Sequence, residues 1–177
     1  MKESGIDGLE LIDLKNFHDG RGDLLPINFE DLASRLGSPY FSQINIASSH
    51  QGVIRGMHWQ KEPTPQGKLI KVMLGQIIDI AIDIRPNSST FGKFYAIELD
   101  DKSEKAFWIP PGFAHGFQTL STHSKVMYLV NAPFDLKCSE GINPLDKALS
   151  LPWDNSLRPI LSDKDESAAN FFEKFNQ

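Results

Sequence analysis

The stretch 68–85 alternates apolar and polar residues over a longer distance than any other part of the chain. In its second half, isoleucine occupies every second position from Ile78 to Ile84, and Asp79 and Asp83 stand between them. Because successive side chains of a strand point to opposite faces, this pattern predicts a strand with one apolar and one charged face. Gly75 interrupts the stretch and predicts a bend or a hairpin.

Shorter runs predict further strands, at 43–48, 94–99, 106–109, 117–120 and 125–131, with turn-rich segments between them. Helix is scarce. Asn28 is a candidate N-cap for a short helix that ends at Leu36 and Gly37, and Ser162 is a candidate N-cap for a C-terminal helix. We therefore expect a mainly β fold, a β-sandwich or jelly-roll barrel with a few short helices, one of them C-terminal.

Length and composition bound the class of protein. The 177 residues fit a single domain spanning 1–177, and no apolar run approaches the roughly 20 residues that cross a bilayer. The N-terminus has no secretion signal, and Cys138 is the only cysteine, so we expect a cytoplasmic protein without a membrane partner. A net charge of −5 with scattered basic residues argues against nucleic-acid binding but allows a local pocket for a phosphorylated ligand.

Two motifs each place a histidine close to glycine at a strand border, His58 in RGMHWQ and His115 in PPGFAHGF. Such histidines serve as metal ligands, as acid/base groups or as core residues. The spacing before His115 matches the second half of the cupin pattern, but Gln60 stands where metal-binding cupins have a second histidine. Since a metal needs three or four ligands, the pair predicts no metal site.

Several polar residues fall on predicted strands near His58. Gln43 and Asn45 share one strand face, Arg55 precedes His58 by three residues, and Lys68 follows it by ten. Buried polar groups must be paired, so a polar interior of this kind favours the binding of a ligand with anionic groups.

Asp165 and Tyr128 each have a structural explanation in their own surroundings. Asp165 follows Ser162 by three residues, as in a helix start, and Tyr128 shares a strand face with apolar residues, as in a core. Local sequence alone favours these structural roles.

Taken together, six segments strongly resemble the dTDP-4-dehydrorhamnose 3,5-epimerase family: QIN at 43–45, RGMHWQ at 55–60, QGKL at 66–69, DIAIDIR at 79–85, STFG at 89–92 and WIPPGFAHGF at 108–117. The resemblance covers about residues 17–165. It implies a cupin-like barrel that needs no metal or other cofactor and usually forms a homodimer. The implied substrate is a nucleotide-linked 4-keto-6-deoxy sugar that is inverted at carbons 3 and 5.

The resemblance also implies roles for individual residues. His58 looks like the base that removes the proton beside the ketone, with Asp165 as its partner. Tyr128 looks like the donor on the opposite face, and Lys68 resembles the lysine that faces the 4-oxygen. The remaining implied residues bind substrate: the diphosphate ligands Arg21 and Arg55, and the pocket residues Gln43, Asn45, Asp79, His115 and Phe134.

The chain departs from the family pattern at two positions. Pro26 stands where family members commonly have a glutamate, and Phe134 stands where they often have a tyrosine. Both changes bear on the nucleotide side of the pocket more than on proton transfer. Inversion at one carbon only, or action on another nucleotide sugar, is therefore an open alternative. A sugar-binding cupin without activity and a metal-dependent cupin oxygenase are more distant ones.

Overall fold

The alternating stretch 68–85 crosses from one sheet of the protein to another. In a computed structural model that describes residues 5–37 and 40–175, it forms two strands, Lys68–Leu74 and Gln76–Asp83, which lie in different sheets. Gly75 has a φ of 78°, and a Cβ there would lie 2.2 Å from the carbonyl oxygen of His123. The predicted bend is confirmed, and it is a corner between sheets instead of a hairpin.

The described residues form twelve strands and three helices. The strands are β1 (Glu10–Asp13), β2 (Phe17–Asp19), β3 (Gly22–Leu24), β4 (Gln43–His50), β5 (Ile54–Gln60), β6 (Lys68–Leu74), β7 (Gln76–Asp83), β8 (Phe94–Asp100), β9 (Lys105–Ile109), β10 (Phe113–Thr119), β11 (His123–Val130) and β12 (Ser139–Gly141). The helices are α1 (Phe29–Leu36), α2 (Asp163–Glu166) and α3 (Phe171–Phe175). All five shorter predicted strands are confirmed, although β10 begins before its predicted start.

Two five-stranded sheets carry the fold. The first has the order β1-β9-β6-β11-β4 and the second the order β12-β5-β10-β7-β8, while β2 and β3 pair as a separate hairpin. Neighbouring strands are antiparallel throughout both sheets. Consecutive strands alternate between the sheets at several corners, which gives the jelly-roll sandwich that the sequence predicted.

Apolar residues pack in three layers. One cluster lies between the sheets and includes Ile70, Ala81 and Phe117. A second covers the outer face of the second sheet, where Ile80 and Ile82 meet the C-terminal segment. A third lies under α1 on the outer face of the first sheet. The apolar face predicted for β7 is therefore an outer face that the C-terminal segment covers. The charged face of β7 points between the sheets.

The helices follow their predicted caps with one difference. Asn28 caps α1 through its side chain, and Gly37 ends it with a φ of 60°. Ser162 caps α2 as predicted, but that helix has only four residues. Between α2 and α3, the carbonyl of Ala169 accepts a backbone hydrogen bond from Asn143. No helix among the described residues is long and apolar enough to span a bilayer.

Candidate active site

A β-bulge turns both Arg55 and His58 toward the space between the sheets. In the pairing of β5 with β10, His58 faces His115 and Arg55 faces Phe117, so three steps on β5 match two on β10. A regular strand would point residues three apart to opposite faces. The bulge therefore places the two side chains together, which the three-residue spacing alone would not predict.

Glycine beside each histidine permits this close pairing. Gly56 has a φ of 138°, and a Cβ there would lie 2.5 Å from the Cα of Gly116. A Cβ on Gly116 would in turn lie 2.6 Å from the sulfur of Met57. Any larger residue would push β5 away from β10, so the two His-Gly motifs are joined by contact between their glycines.

Asp165 takes part in the start of α2 and also contacts His58. Its backbone N–H donates to the hydroxyl of Ser162 at the start of α2, and its Oδ1 lies 2.6 Å from Nε2 of His58. Burial of the carboxyl opposes ionisation, but the hydrogen bonds from His58, Ser162 and the Gly56 backbone outweigh it, so the pKa of Asp165 lies below its ordinary value. An ionised Asp165 can only accept a hydrogen bond from His58. The Nε2 atom of His58 therefore carries the proton, and its Nδ1 atom is left as the acceptor of the ring.

A cavity of about 420 Å³ lies in front of His58. Both sheets contribute to it, since His58 belongs to β5 while Lys68 and Tyr128 belong to β6 and β11. The described residues that line it are Gln43, Asn45, His58, Trp59, Gln60, Gln66, Lys68, Tyr128, Phe134, Ser139 and Lys164. Seven predicted site residues thus meet around one space or pair directly with its lining, namely His58, Lys68, Tyr128, Asp165, Gln43, Asn45 and Phe134.

Lys68 and Tyr128 have shifted proton affinities. Removal from water lowers the pKa of Lys68 to about 8, and the charge of Asp79 opposes this shift. Its ammonium donates to the backbone carbonyl of His58 at 3.1 Å. Burial raises the pKa of Tyr128, against the opposing charge of Arg55, so its hydroxyl keeps its proton at neutral pH. The cavity therefore presents a cation and a proton donor.

Gln43 connects one wall of the cavity to its rim. Its amide nitrogen donates to Oδ1 of Asn45 at 2.6 Å, and its carbonyl oxygen accepts from the backbone N–H of Phe134 at 3.2 Å. The ring of Phe134 is 59% exposed. The two amides are held in place, while the aromatic ring is open to a ligand.

Asp79 and His115 lie behind the cavity, outside the described lining. His115 is the cross-strand neighbour of His58, and its Nε2 lies 3.0 and 3.1 Å from the two oxygens of Asp79. Burial lowers the pKa of His115 although Asp79 opposes it, so the ring is neutral at pH 7. The family resemblance implied a substrate-pocket role for His115 and a supporting pocket role for Asp79, and both stay predictions.

The two arginines have different positions. Arg55 donates to the hydroxyl of Ser49 at 2.9 Å and lies near Tyr128, as its effect on the pKa of that residue indicates. Arg21 lies on the exposed β2–β3 hairpin and pairs with Asp19 at 2.5 Å. Within one chain, the structure does not bring Arg21 to the cavity.

Sequence reasoning assigned no site role to Trp59, Gln60, Gln66, Ser139 and Lys164, which also line the cavity. The first three stand in the motifs that carry the family resemblance. Lys164 precedes Asp165, and that proximity was an available signal. Ser139 belongs to a strand of three residues, too short to recognise from alternation. No group of three or more His, Cys, Asp or Glu in the described ranges is arranged to hold a metal ion.

Comparison with known proteins agrees with this geometry. A family profile described as dTDP-4-dehydrorhamnose 3,5-epimerase matches residues 3–173. A dTDP-4-dehydrorhamnose 3,5-epimerase of Shigella flexneri is 40% identical over 133 residues, which are 75% of this chain and 73% of the relative. A dTDP-4-dehydrorhamnose 3-epimerase of Streptomyces niveus is 31% identical over 170 residues, 95% of this chain and 82% of the relative.

Among solved structures, a dTDP-6-deoxy-D-glucose-3,5-epimerase of Legionella pneumophila in complex with dTDP-4-keto-L-rhamnose is similar in fold and sequence. It superposes with a TM-score of 0.88 at 35% identity, covering 93% of this chain and 88% of that one. The resemblance noted in the sequence is confirmed.

Proposed function

We propose, since the chain belongs to the dTDP-4-dehydrorhamnose 3,5-epimerase family, that it converts dTDP-4-dehydro-6-deoxy-D-glucose to dTDP-4-dehydro-L-rhamnose. Membership makes the protein an isomerase of the carbohydrate epimerase type. The observation that carries the proposal is the placement of the His58–Asp165 pair, Lys68 and Tyr128 around one cavity. These groups supply what inversion beside a ketone requires.

His58 begins the reaction by removing a proton from the carbon beside the 4-keto group. With Nε2 bonded to Asp165, the free Nδ1 accepts that proton as the C–H bond breaks. The carboxylate of Asp165 holds the ring in place and stabilises the imidazolium that forms. The electron pair of the broken bond moves into the carbonyl, giving an enolate.

Lys68 and Tyr128 complete the inversion. The Lys68 ammonium stabilises the negative 4-oxygen, an electrostatic contribution often worth several kcal/mol in an enclosed site. Tyr128 then gives a proton to carbon from the opposite face, because return of the proton from His58 would restore the starting centre. His58 and Tyr128 come from different sheets, which favours opposite-face transfer.

The nucleotide part of the substrate requires cations and an aromatic contact near the cavity. Arg55 and Lys164 are suitable for the diphosphate, and the exposed Phe134 ring for a flat group. Arg21 lies on the β2–β3 hairpin, outside the described lining of its own cavity, so its participation would need a second copy of the chain. Exposed apolar residues of the edge strand β4, Ile44 and Ile46, favour a homodimer, which we propose to act in the cytoplasm.

The test is incubation of the purified protein with the substrate in D₂O. The proposal expects deuterium at both inverted carbons, and its absence from carbons 3 and 5 would overturn the proposal. Tyr128→Phe is expected to keep exchange through His58 but lose inversion. Tyr95→Phe is the matched control, because Tyr95 packs against the core between the sheets and does not line the cavity.

A second candidate is inversion at carbon 3 alone. The similarity to the Streptomyces niveus 3-epimerase favours it, as does the departure at Phe134. The same D₂O experiment separates the two, since a 3-epimerase would place deuterium at one carbon only.

A further inference from the structure

Asp79 is a buried carboxylate that the proposed reaction does not use directly. It has no exposed surface and lies on β7, between β10 and β8 in the second sheet. In the pairing of β10 with β7, His115 faces Ala81, two residues beyond Asp79. Cross-strand partners share a face, so His58, His115 and Asp79 all point between the sheets. The carboxylate is thus directed toward the side from which Lys68 projects.

The hydrogen bonds of Asp79 leave its charge uncompensated. Its described hydrogen-bond partner is Nε2 of His115, which is neutral because burial lowers the pKa of that ring. A buried carboxylate without a cation is costly, and a charge held by a neutral donor needs a positive group nearby. His115 fixes the position of the carboxylate without supplying that charge.

Lys68 has the complementary need. Its one described hydrogen bond goes to the backbone carbonyl of His58, which is also neutral. The other carboxylate of the site, Asp165, is bonded to His58. Asp79 faces the same space between the sheets without a direct ion pair to Lys68 among the described contacts, and its charge opposes the lowering of the Lys68 pKa by burial. The other titratable or charged groups that surround the cavity are His58 and Arg55 on β5, His115 on β10, Tyr128 on β11, and Lys164 and Asp165 on α2.

We propose that Asp79, held by His115, is the buried counter-ion that keeps the Lys68 ammonium charged opposite the reacting carbonyl. Asp79 is then a positioning residue, acting through Lys68 without touching substrate. This inference rests on the proposed epimerase function for its catalytic consequence. The proposed electrostatic coupling of Asp79 to Lys68, in contrast, needs no substrate and can be tested in the free protein.

The first experiment titrates Lys68 in the protein without substrate, by NMR of protein labelled with ¹³C-lysine and with Lys68→Arg to assign the resonance. Wild type is expected to titrate near pH 8. Asp79→Asn keeps an acceptor for His115 but removes the charge, and should lower the titration by about one pH unit or more. Asp165→Asn, which removes the other carboxylate of the site, should shift it much less. An unchanged titration in Asp79→Asn would overturn the proposal.

The second experiment is a thermodynamic cycle that needs no activity. Lys68→Met leaves Asp79 without its cation and should destabilise the protein, and adding Asp79→Asn to that variant should recover stability. Additive effects of the two substitutions would count against a charge pair. This cycle also keeps the proposal testable if Asp79→Asn alone folds poorly.

The catalytic consequence is read from the pH profile of wild type and Asp79→Asn. The basic limb of kcat/KM should move to lower pH by the same amount as the Lys68 titration, with kcat at pH 7 reduced several-fold and KM little changed. If wild type shows no solvent exchange, the proposed function is wrong. The Lys68 titration would still show whether Asp79 acts on Lys68. A basic limb that stays in place while Lys68 titrates lower would overturn the catalytic role.

Discussion

Two carboxylates of the same strand show how differently a buried charge can be held. Asp79 and Asp83 lie on the inner face of β7 and both are 0% exposed. Asp83 accepts five hydrogen bonds, from the backbone, Nε and Nη2 of Arg85 and from the hydroxyls of Ser88 and Thr90. Among the described contacts, Asp79 has one hydrogen-bond partner, the neutral His115 behind the cavity.

The difference separates structural from functional use of a buried acid. All the partners of Asp83 come from the loop that follows its own strand, so this Asp83 cluster ties the loop to the sheet. Burial would raise the pKa of Asp83, but Arg85, Ser88 and Thr90 hold it far below its ordinary value. Asp165 instead contacts His58 at the cavity, and Asp79 contacts His115 behind it, so both carboxylates can act on groups of the site.

The largest expected effect tests the structural role of Asp83. Asp83→Ala leaves Arg85 and two hydroxyls without their acceptor and should lower the free energy of unfolding by about 3–5 kcal/mol, as for other broken buried ion pairs. Urea unfolding measures this. Asp13→Ala is the control, since the Asp13–Lys105 pair is exposed and should change stability by less than about 1 kcal/mol. Equal losses in both variants would contradict the assignment.

The next largest effect tests the functional role of Asp165. Asp165→Asn removes the acceptor charge that orients His58, and should reduce kcat/KM by about 100-fold or more, within the range for general acid–base groups. Stability should change little, because Ser162 caps the backbone N–H of residue 165 and this bond survives the substitution. Asp163→Asn, exposed in the same turn, is the matched control. A large loss of stability in Asp165→Asn would show that Asp165, like Asp83, has a structural role.

Acid titration of stability sharpens the comparison further. The pKa of Asp83 in the folded chain lies below the value of about 3.9 expected after unfolding, so the unfolded chain binds the proton first. Its contribution to stability is therefore present above about pH 4 and is lost as pH falls below that value. One proton corresponds to about 1.4 kcal/mol per pH unit. Urea unfolding at a series of pH values should show wild type and Asp83→Asn converging in acid, and a constant difference would contradict this.

The sequence predicted the strands and helix ends better than it predicted the contacts of their side chains. Alternation in 68–85 identified β6, β7 and the bend at Gly75, and Asn28 and Gly37 marked the ends of α1, because these signals are local. The same alternation did not separate Asp79 from Asp83. Their roles depend on Arg85 and the loop in one case and on a neighbouring strand in the other.

The site was predictable only in part, for a similar reason. His58 and Asp165 are 107 positions apart, and their pairing followed from the family resemblance, not from the residues themselves. Arg55 points inward because of a bulge that depends on contact between Gly56 and Gly116. Such features are set by packing between strands, which periodicity does not report.

The smallest expected effect is at the rim of the cavity, where Phe134 stands at a position for which the family resemblance implied a tyrosine. The ring is 59% exposed and its backbone N–H already bonds to Gln43, so Phe134→Tyr adds a hydroxyl without burying it. Stability should change by less than about 0.5 kcal/mol, as for most surface substitutions. Any effect should appear in KM or in the ratio of deuterium at carbons 3 and 5, measured in D₂O against wild type. A stability change as large as that of Asp83→Ala would mean that Phe134, too, serves the stability of the fold and not the binding of a ligand.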